Sequence, residues 1–140
     1  MNNKGFTLIE LLVTIALLAV ISIISFVSIN AVIEKSRVNE CNNLVSSIKS
    51  AAKEYVSDNR YDTDVISTGT YEYTINANTL ITKNYLTGPI VNPFTKVEVK
   101  NPQNIQISIK LSSSNYTVKE VKVKGISTET SFLNDCNKKV

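Results

Sequence analysis

The sequence predicts an α+β protein in which a long N-terminal helix packs against a small antiparallel β-sheet. Residues 11–33 carry no charged side chain, and neither glycine nor proline occurs between Gly5 and Gly69 to interrupt a helix. Apolar residues then recur at helical spacing as far as Tyr55. Beyond position 70, apolar and polar residues alternate, which is typical of half-buried strands. These observations place one helix first and a sheet after it.

The first half of the predicted helix, residues 6–33, has the composition of a membrane span. Its uncharged stretch is 23 residues long, and about 20 residues at about 1.5 Å each cross the hydrocarbon core of a bilayer. Glu10 lies directly before this stretch. Because a carboxylate within lipid costs about 2.5–3.5 kcal/mol, Glu10 is expected to have a specific partner. The alternative is that Glu10 lies at the headgroup boundary, next to Lys4.

The second half of the helix, residues 34–58, is predicted to be amphipathic. Its apolar residues follow alternating spacings of three and four, which places them on one face of a helix: Val38, Cys41, Val45, Ile48, Ala52 and Tyr55. This stripe indicates that the second half packs on the rest of the chain. A coiled coil is disfavoured because the stripe is short and lacks regular flanking charge pairs.

Residues 59–140 are predicted to form a globular head that contains the sheet. Residues 58–69 are interpreted as a polar connection, and residues 71–75 alternate as in a short strand. Residues 78–86 are predicted to form a helical turn, with Asn78 as its cap.

The remaining strands are predicted from the same alternation. Residues 96–100 form a short alternating segment, and residues 105–111 alternate cleanly between apolar and polar side chains. A turn at 112–115 leads to a partner strand at 116–124. The apolar positions of this last strand change phase partway along it, which predicts a β-bulge near Lys119 and Glu120.

A short motif precedes the uncharged stretch. Residues 4–10 are Lys-Gly-Phe-Thr-Leu-Ile-Glu, and this motif resembles the processing site of type IV prepilins and the related pseudopilins. The resemblance implies the pilin fold and a leader, residues 1–5, that a prepilin peptidase removes between Gly5 and Phe6. It also implies N-methylation of Phe6. A secretory signal peptide is disfavoured because the apolar stretch is too long and no small-residue cleavage site follows it.

Cleavage at this site would create the charge partner that Glu10 requires. The new amine of Phe6 would lie four residues from Glu10, on the same helix face. In a staggered stack of helices, Glu10 could instead meet the Phe6 amine of a neighbouring subunit. Such pairing removes much of the cost of placing either charge in lipid. Glu10 and Phe6 are therefore the predicted assembly residues of a homo-oligomeric filament.

The resemblance implies a structural subunit of a pilus, with roles such as cell adhesion or twitching motility. The implied partners are the prepilin peptidase, an assembly ATPase and a membrane platform protein. The precursor would span the bacterial cell membrane once, with its leader in the cytoplasm, and the mature chain would enter an extracellular pilus. One alternative is a pseudopilin of a type II secretion or competence DNA-uptake machine. Another is a single-pass membrane protein that does not polymerise.

Composition argues against an enzyme. The chain has no histidine, two cysteines and four glycines, which disfavours histidine-based catalysis, ordinary zinc sites and glycine-rich phosphate loops. No cofactor or metal is expected. The net charge of +3 is mild. Nucleic-acid binding is disfavoured because the available lysines lack interleaved aromatic residues: Lys122, Lys124, Lys138 and Lys139.

The two cysteines are predicted to form a disulfide. Cys41 lies on the apolar stripe of the helix, and Cys136 lies close to the C-terminal end. In an extracytoplasmic head, such a pair is more often bonded than free. The alternative is that Cys41 is a small buried apolar residue.

Overall fold

The computed structural model describes residues 5–59, 72–112 and 117–136, without the side chains of residues 24–28 and Tyr73. The leader other than Gly5, most of the predicted polar connection and most of the predicted turn before the last strand lie outside these residues. The chain divides into two units, at residues 1–36 and 37–140.

The first unit is built on the helix α1, which runs from Leu8 to Asp58 and continues into the second unit. The prediction of a long N-terminal helix is confirmed. In the first unit the large apolar side chains are exposed, from 87% of the surface of Phe6 to 43% of that of Ile33. Among the described residues, no helix has both the length and the apolarity needed to cross a membrane. The membrane-spanning role of residues 6–33 stays a prediction.

In the second unit, α1 buries the face that the sequence indicates. Cys41, Ile48 and Ala52 are fully buried, and Val45 is nearly so. Val38 and Tyr55, at the two ends of the predicted stripe, are half-buried. Two further residues join the buried face, Ala51 and Val56. They belong there because an apolar face on a helix is wider than one residue per turn.

A three-stranded antiparallel sheet packs on this face in one hydrophobic cluster. Its strands are β1 (Glu72–Asn76), β2 (Ile105–Leu111) and β3 (Val118–Gly125), and β2 lies in the centre. Ile107 of β2 is paired with Ile75 of β1 and with Val123 of β3. The antiparallel sheet predicted from the alternation is confirmed.

The central strand β2 supplies the middle of the core. Ile105, Ile107 and Ile109 are fully buried, while Gln106 and Ser108 between them are half-buried. Burying one such isoleucine stabilises the fold by about 1.5–3 kcal/mol. The strict period of two therefore directs one face of β2 to the core and leaves the other for polar residues.

The predicted bulge in the last strand is also confirmed. Lys110 is paired with Glu120, but the next residue, Leu111, is paired with Val118. The strand β3 thus carries one extra residue, Lys119, at this point. The extra residue corrects the phase of the alternation, so that Val118 and Val121 both pack against the core.

A short helix, α2 (Ala77–Thr82), follows β1 directly. Its cap is Asn76, whose side-chain oxygen accepts a hydrogen bond from the N–H of Thr79 at 3.0 Å. The predicted cap, Asn78, is therefore wrong by two residues. Asn76 is the last residue of β1 and has extended backbone angles, as an N-cap requires, whereas Asn78 already lies within the helix.

The predicted strand at residues 96–100 is wrong. Only Glu98 of this segment makes a β-bridge, to Val91, and Lys96 has a positive φ of 59° that interrupts extended backbone. The Lys96 ammonium lies 2.5 Å from the carboxylate of Glu40 on α1. Because both side chains are about half exposed, this ion pair contributes at most about 1 kcal/mol.

The end of α1 is attached to the segment that follows α2. The Tyr85 hydroxyl donates a hydrogen bond to Asp58 at 3.0 Å, and the Tyr85 ring packs edge-on against Tyr55 with centroids 5.3 Å apart. Burial and the neighbouring Asp58 carboxylate raise the pKa of Tyr85. The hydroxyl therefore stays protonated and able to donate at neutral pH.

The C-terminal segment closes the second unit. A 3₁₀ helix, Ser131–Asn134, lies beside the end of β3. The Asn134 side chain accepts from the N–H of Gly125 at 3.2 Å and donates to its carbonyl at 3.0 Å. The fully buried hydroxyl of Thr130 donates to the carbonyl of Asn104 at 3.2 Å. These bonds attach the segment to one end of the β2–β3 pair, where β2 begins and β3 ends.

The disulfide between Cys41 and Cys136 is present in the structure. Their Cα atoms are 5.3 Å apart, and both residues are fully buried. The bond joins α1 to the C-terminal segment across a separation of 95 residues. It is the one disulfide that the two cysteines of this chain can form, and it joins parts of the second unit that are far apart in sequence.

Replacing Gly125 with alanine should destabilise the second unit by about 2–4 kcal/mol. A Cβ at this position would lie 1.8 Å from the carbonyl oxygen of Thr130, so the backbone of β3 or of the C-terminal segment must move. The measurement is the urea midpoint of the detergent-solubilised full chain. Gly88→Ala is the matched control, because its Cβ would meet only a side-chain methyl of Ile81, at 3.3 Å. Equal midpoints for the two variants would contradict this packing argument.

Candidate processing and assembly site

Two residues of the motif, Thr7 and Glu10, cap the N-terminal end of α1. Thr7 lies immediately before the helix, and its side-chain oxygen accepts a hydrogen bond from the N–H of Glu10 at 3.3 Å. In return, the Glu10 carboxylate accepts from the N–H of Thr7 at 2.8 Å. This reciprocal pair is a capping box, which satisfies two backbone donors that the end of a helix leaves without partners.

The capping box also determines the position of the Glu10 carboxylate. The hydroxyl of Thr7 donates to Oε2 of Glu10 at 2.8 Å, and the Thr7 N–H donates to the same oxygen. None of the residues described in the structure donates a hydrogen bond to Oε1. The acid that the sequence singles out for lacking a partner thus has a local one, Thr7, and within the described residues the carboxylate is bound through Oε2.

The predicted cleavage point lies outside the helix. Gly5 and Phe6 precede the first residue of α1, Leu8, and both are exposed. A Cβ built at Gly5 would meet no atom within 4 Å. Exposed, non-helical backbone is the kind of segment that proteases cut most readily. The peptide bond between Gly5 and Phe6 is therefore sterically open.

The three predicted residues of this site, Gly5, Phe6 and Glu10, lie within one short segment of the sequence, and the contacts that Glu10 makes there are to Thr7. The Thr7 nitrogen, which contacts Glu10, belongs to the residue directly after Phe6. An amine created at Phe6 would therefore be one residue from a nitrogen that already binds the carboxylate. Cys41 and Cys136 belong to the second unit and take no part in this site.

Residues 1–26 match the family model described as the prokaryotic N-terminal methylation motif. The chain carries a prepilin-type processing motif. No curated protein and no solved structure gives a significant match. The prepilin-type motif is the signature of type IV pilins and pseudopilins, and this confirms the resemblance found in residues 4–10. It is a structural pilin-type motif and does not describe an enzyme family.

Sequence reasoning missed one residue of the prepilin-type motif. The sequence motif alone assigns Thr7 no role, whereas the structure shows Thr7 bonded to Glu10 in three ways. The signal was present, because Thr7-Leu8-Ile9-Glu10 is a Ser/Thr-x-x-Glu/Gln pattern directly before an apolar run.

The sheet surface does not favour nucleic acid. The Lys122 ammonium lies 3.4 Å from the carboxylate of Glu120, and Lys110 lies 3.5 Å from Glu72. These pairs offset much of the positive charge that the lysines bring to the outer face. Lys138 and Lys139 lie beyond the described residues. Within the part of the chain that is described, no group of three potential metal ligands occurs.

Proposed function

We propose that this chain is a structural subunit that polymerises, after processing, into a type IV pilus-like filament through residues 6–33. The observation that carries the proposal is the exposure of apolar side chains along the first unit: among the side chains that the structure describes between Phe6 and Ile33, no large apolar one is less than 43% exposed. A continuous apolar surface of this extent requires a cover of lipid or protein.

This apolar surface would be covered by lipid in the precursor and by protein in the filament. In the precursor, the uncharged run of 23 residues is long enough to lie across a bilayer. In the filament, the same surface is covered by the helices of neighbouring subunits. A single helix that is apolar on all sides suits both environments, since it has no polar face to leave exposed.

Glu10 would fix the stagger between neighbouring helices, which apolar packing alone leaves undetermined. Apolar helices can slide along one another at little cost, but a charge pair within lipid or a helix bundle is satisfied at one position only. Pairing the Glu10 carboxylate with the Phe6 amine of a neighbour would therefore set the stagger between subunits. The exposure of both residues at the start of the chain supports this role.

The second unit is the part displayed on the filament surface. Its disulfide joins α1 directly to the C-terminal segment, so that a covalent bond would transmit a pulling force on the helix to that segment. The prepilin-type motif implies a prepilin peptidase, and assembly implies an ATPase and a membrane platform. The precursor would be anchored in the cell membrane and the filament would be extracellular.

The test combines mass spectrometry with electron microscopy. The mature chain should begin at N-methylated Phe6, and sheared surface material should contain fibres that an antibody against the second unit labels along their length. An intact Met1 on the surface chain, or labelled membranes that yield no fibres, would instead support a membrane protein that does not polymerise.

A further inference from the structure

We propose that the free edge of β3 binds an extended protein segment, in which acidic and β-branched residues alternate, as an additional strand of the sheet. The sheet has the order β1, β2, β3, so β3 has a neighbouring strand on one side only. The other side of an edge strand can pair with a further strand. Because the site lies in the second unit, it would be available on a single subunit, apart from any role in polymerisation.

Contacts at the end of β3 show which backbone groups face the free side. The N–H of Ile126 donates to the carbonyl of Asn104, directly before β2, at 3.0 Å. The backbone of Gly125 faces the opposite way, because both its N–H and its carbonyl bond to the side chain of Asn134. Successive residues of an antiparallel strand face alternate sides. Every second residue before Gly125 therefore turns its backbone groups towards the free edge.

The residues in this position are Val121 and Val123, which lie beyond the bulge in an unbroken part of the ladder. Their N–H and carbonyl groups face the same side as those of Gly125. Among the described residues, none is hydrogen-bonded to these groups on that side. Both valines line a groove of about 660 Å³. Two donors and two acceptors are thus available to an added strand.

The side chain of Asn134 shows which kind of group this edge accepts. Its amide accepts from the N–H of Gly125 at 3.2 Å and donates to the carbonyl of Gly125 at 3.0 Å. These are the two bonds that a residue of a neighbouring antiparallel strand would make. Asn134 thus replaces a fourth strand at one position. At the other end the extra residue Lys119 interrupts the ladder, so the open edge is limited to residues 120–124.

The charges beside the edge define the chemistry of the partner. Lys122 and Lys124 alternate with the two valines and line the groove, together with Lys49 of α1. Within the described part of the chain, neither Lys49 nor Lys124 forms an ion pair, while Lys122 pairs with Glu120. Opposite charges on facing residues stabilise strand pairing. An acidic residue therefore fits opposite each strand lysine, and a β-branched residue fits opposite each valine.

A second copy of β3 fits this edge less well. Antiparallel pairing of β3 with its copy through both valines would set Lys122 opposite its own counterpart, which is unfavourable, even though Glu120 would face Lys124. The same pairing would turn the two α1 helices in opposite directions. Chains anchored in one membrane, as the proposed function implies, could not pair in this way. Lysines at this edge thus disfavour copies of the chain and admit an acidic strand.

The test uses a fluorescein-labelled peptide of about seven residues in which glutamate and valine alternate. Its binding to the full chain in a non-ionic detergent is followed by fluorescence anisotropy. We expect saturable binding, which Lys122→Glu/Lys124→Glu should weaken about tenfold or more, since two attractions become repulsions. Lys83→Glu/Lys100→Glu is the matched control. It changes the net charge equally at two exposed lysines that do not line the groove, and it should bind as the wild type does.

Two further measurements separate strand addition from simple charge attraction. The same peptide N-methylated at its valines keeps every charge but loses the N–H groups that would face β3, and it should not bind. Val123→Pro removes an N–H on the free side, which an edge strand tolerates, and should weaken binding of the unmodified peptide about tenfold or more. The urea midpoint shows whether this variant is folded. If it is not, the N-methylated peptide decides.

Four results would overturn the proposal. The first is a wild-type chain that does not bind the peptide at millimolar concentration, since the lysines would then serve edge protection alone. The second is equal binding of the N-methylated peptide, and the third is an equal loss in the control double variant. The fourth is a wild-type dimer in sedimentation that Val123→Pro converts to a monomer, which would make a second copy the occupant. Absence of fibres would contradict the proposed function and leave peptide binding unchanged.

Discussion

Replacing Glu10 with alanine should abolish filaments and leave the cut between Gly5 and Phe6 intact. The hydroxyl of Thr7 still caps the N–H of residue 10, so the first turn of α1 keeps its main support. Under the proposed pairing, however, each subunit contact would lose the acid that compensates an ammonium group. Because an ammonium group without its carboxylate is unfavourable among apolar helices, we expect the fibre yield to fall by about 100-fold or more.

The comparison is made on sheared fibres and on the mature N-terminus. Glu34→Ala is the matched control, since Glu34 is the first carboxylate after the uncharged stretch and lies on the same helix. It should assemble as the wild type does. If Glu10→Ala chains form fibres at the normal yield, the pairing of Glu10 with a neighbouring amine is wrong.

Removing the disulfide should produce the largest loss of stability in the second unit. The bond joins residues 95 positions apart, and closing a loop of that length stabilises a fold by about 4–5 kcal/mol in the chain-entropy model. Domains of this size are stable by about 5–15 kcal/mol in total. The double variant Cys41→Ala/Cys136→Ala should therefore have a much lower urea midpoint, and in a marginal case the unit should unfold.

Tyrosine fluorescence of the detergent-solubilised full chain is a suitable signal. All six tyrosines lie between positions 55 and 116, within the second unit. The wild-type chain reduced with a thiol is the control and should show the same shift as the double variant. Identical midpoints for the oxidised and reduced wild type would show that the bond contributes nothing to stability.

Most of the fold was predictable because its signals are local. The burial of β2 follows from a strict alternation over seven residues, and the bulge at Lys119 follows from the phase change in β3. The errors occurred where local patterns are ambiguous. Both Asn76 and Asn78 suit an N-cap, and only the end of β1 decides between them. Alternation at 96–100 suggests a strand, but the positive φ of Lys96 interrupts it.

The candidate site was predictable for the same reason. The processing motif and the capping box each lie within a few consecutive residues, so their chemistry can be read without knowledge of the fold. The anchoring of one carboxylate oxygen by Thr7 is different, because it depends on the rotamer of Glu10 as well as on residue types. That both donors bind the same oxygen is a property of the folded chain, which residue types alone do not specify.

The amino-acid sequence was enough to predict the long helix, the alternating strands and the processing motif, because the pattern that marks each one lies within a run of consecutive residues. Tertiary structure alone decided that Cys41 and Cys136 lie 5.3 Å apart at their Cα atoms. It alone showed that Gly125 must lack a side chain against the backbone of Thr130. The two cysteines are distant in sequence, and an irregular loop separates Gly125 from Thr130. Packing of the whole unit therefore sets both distances.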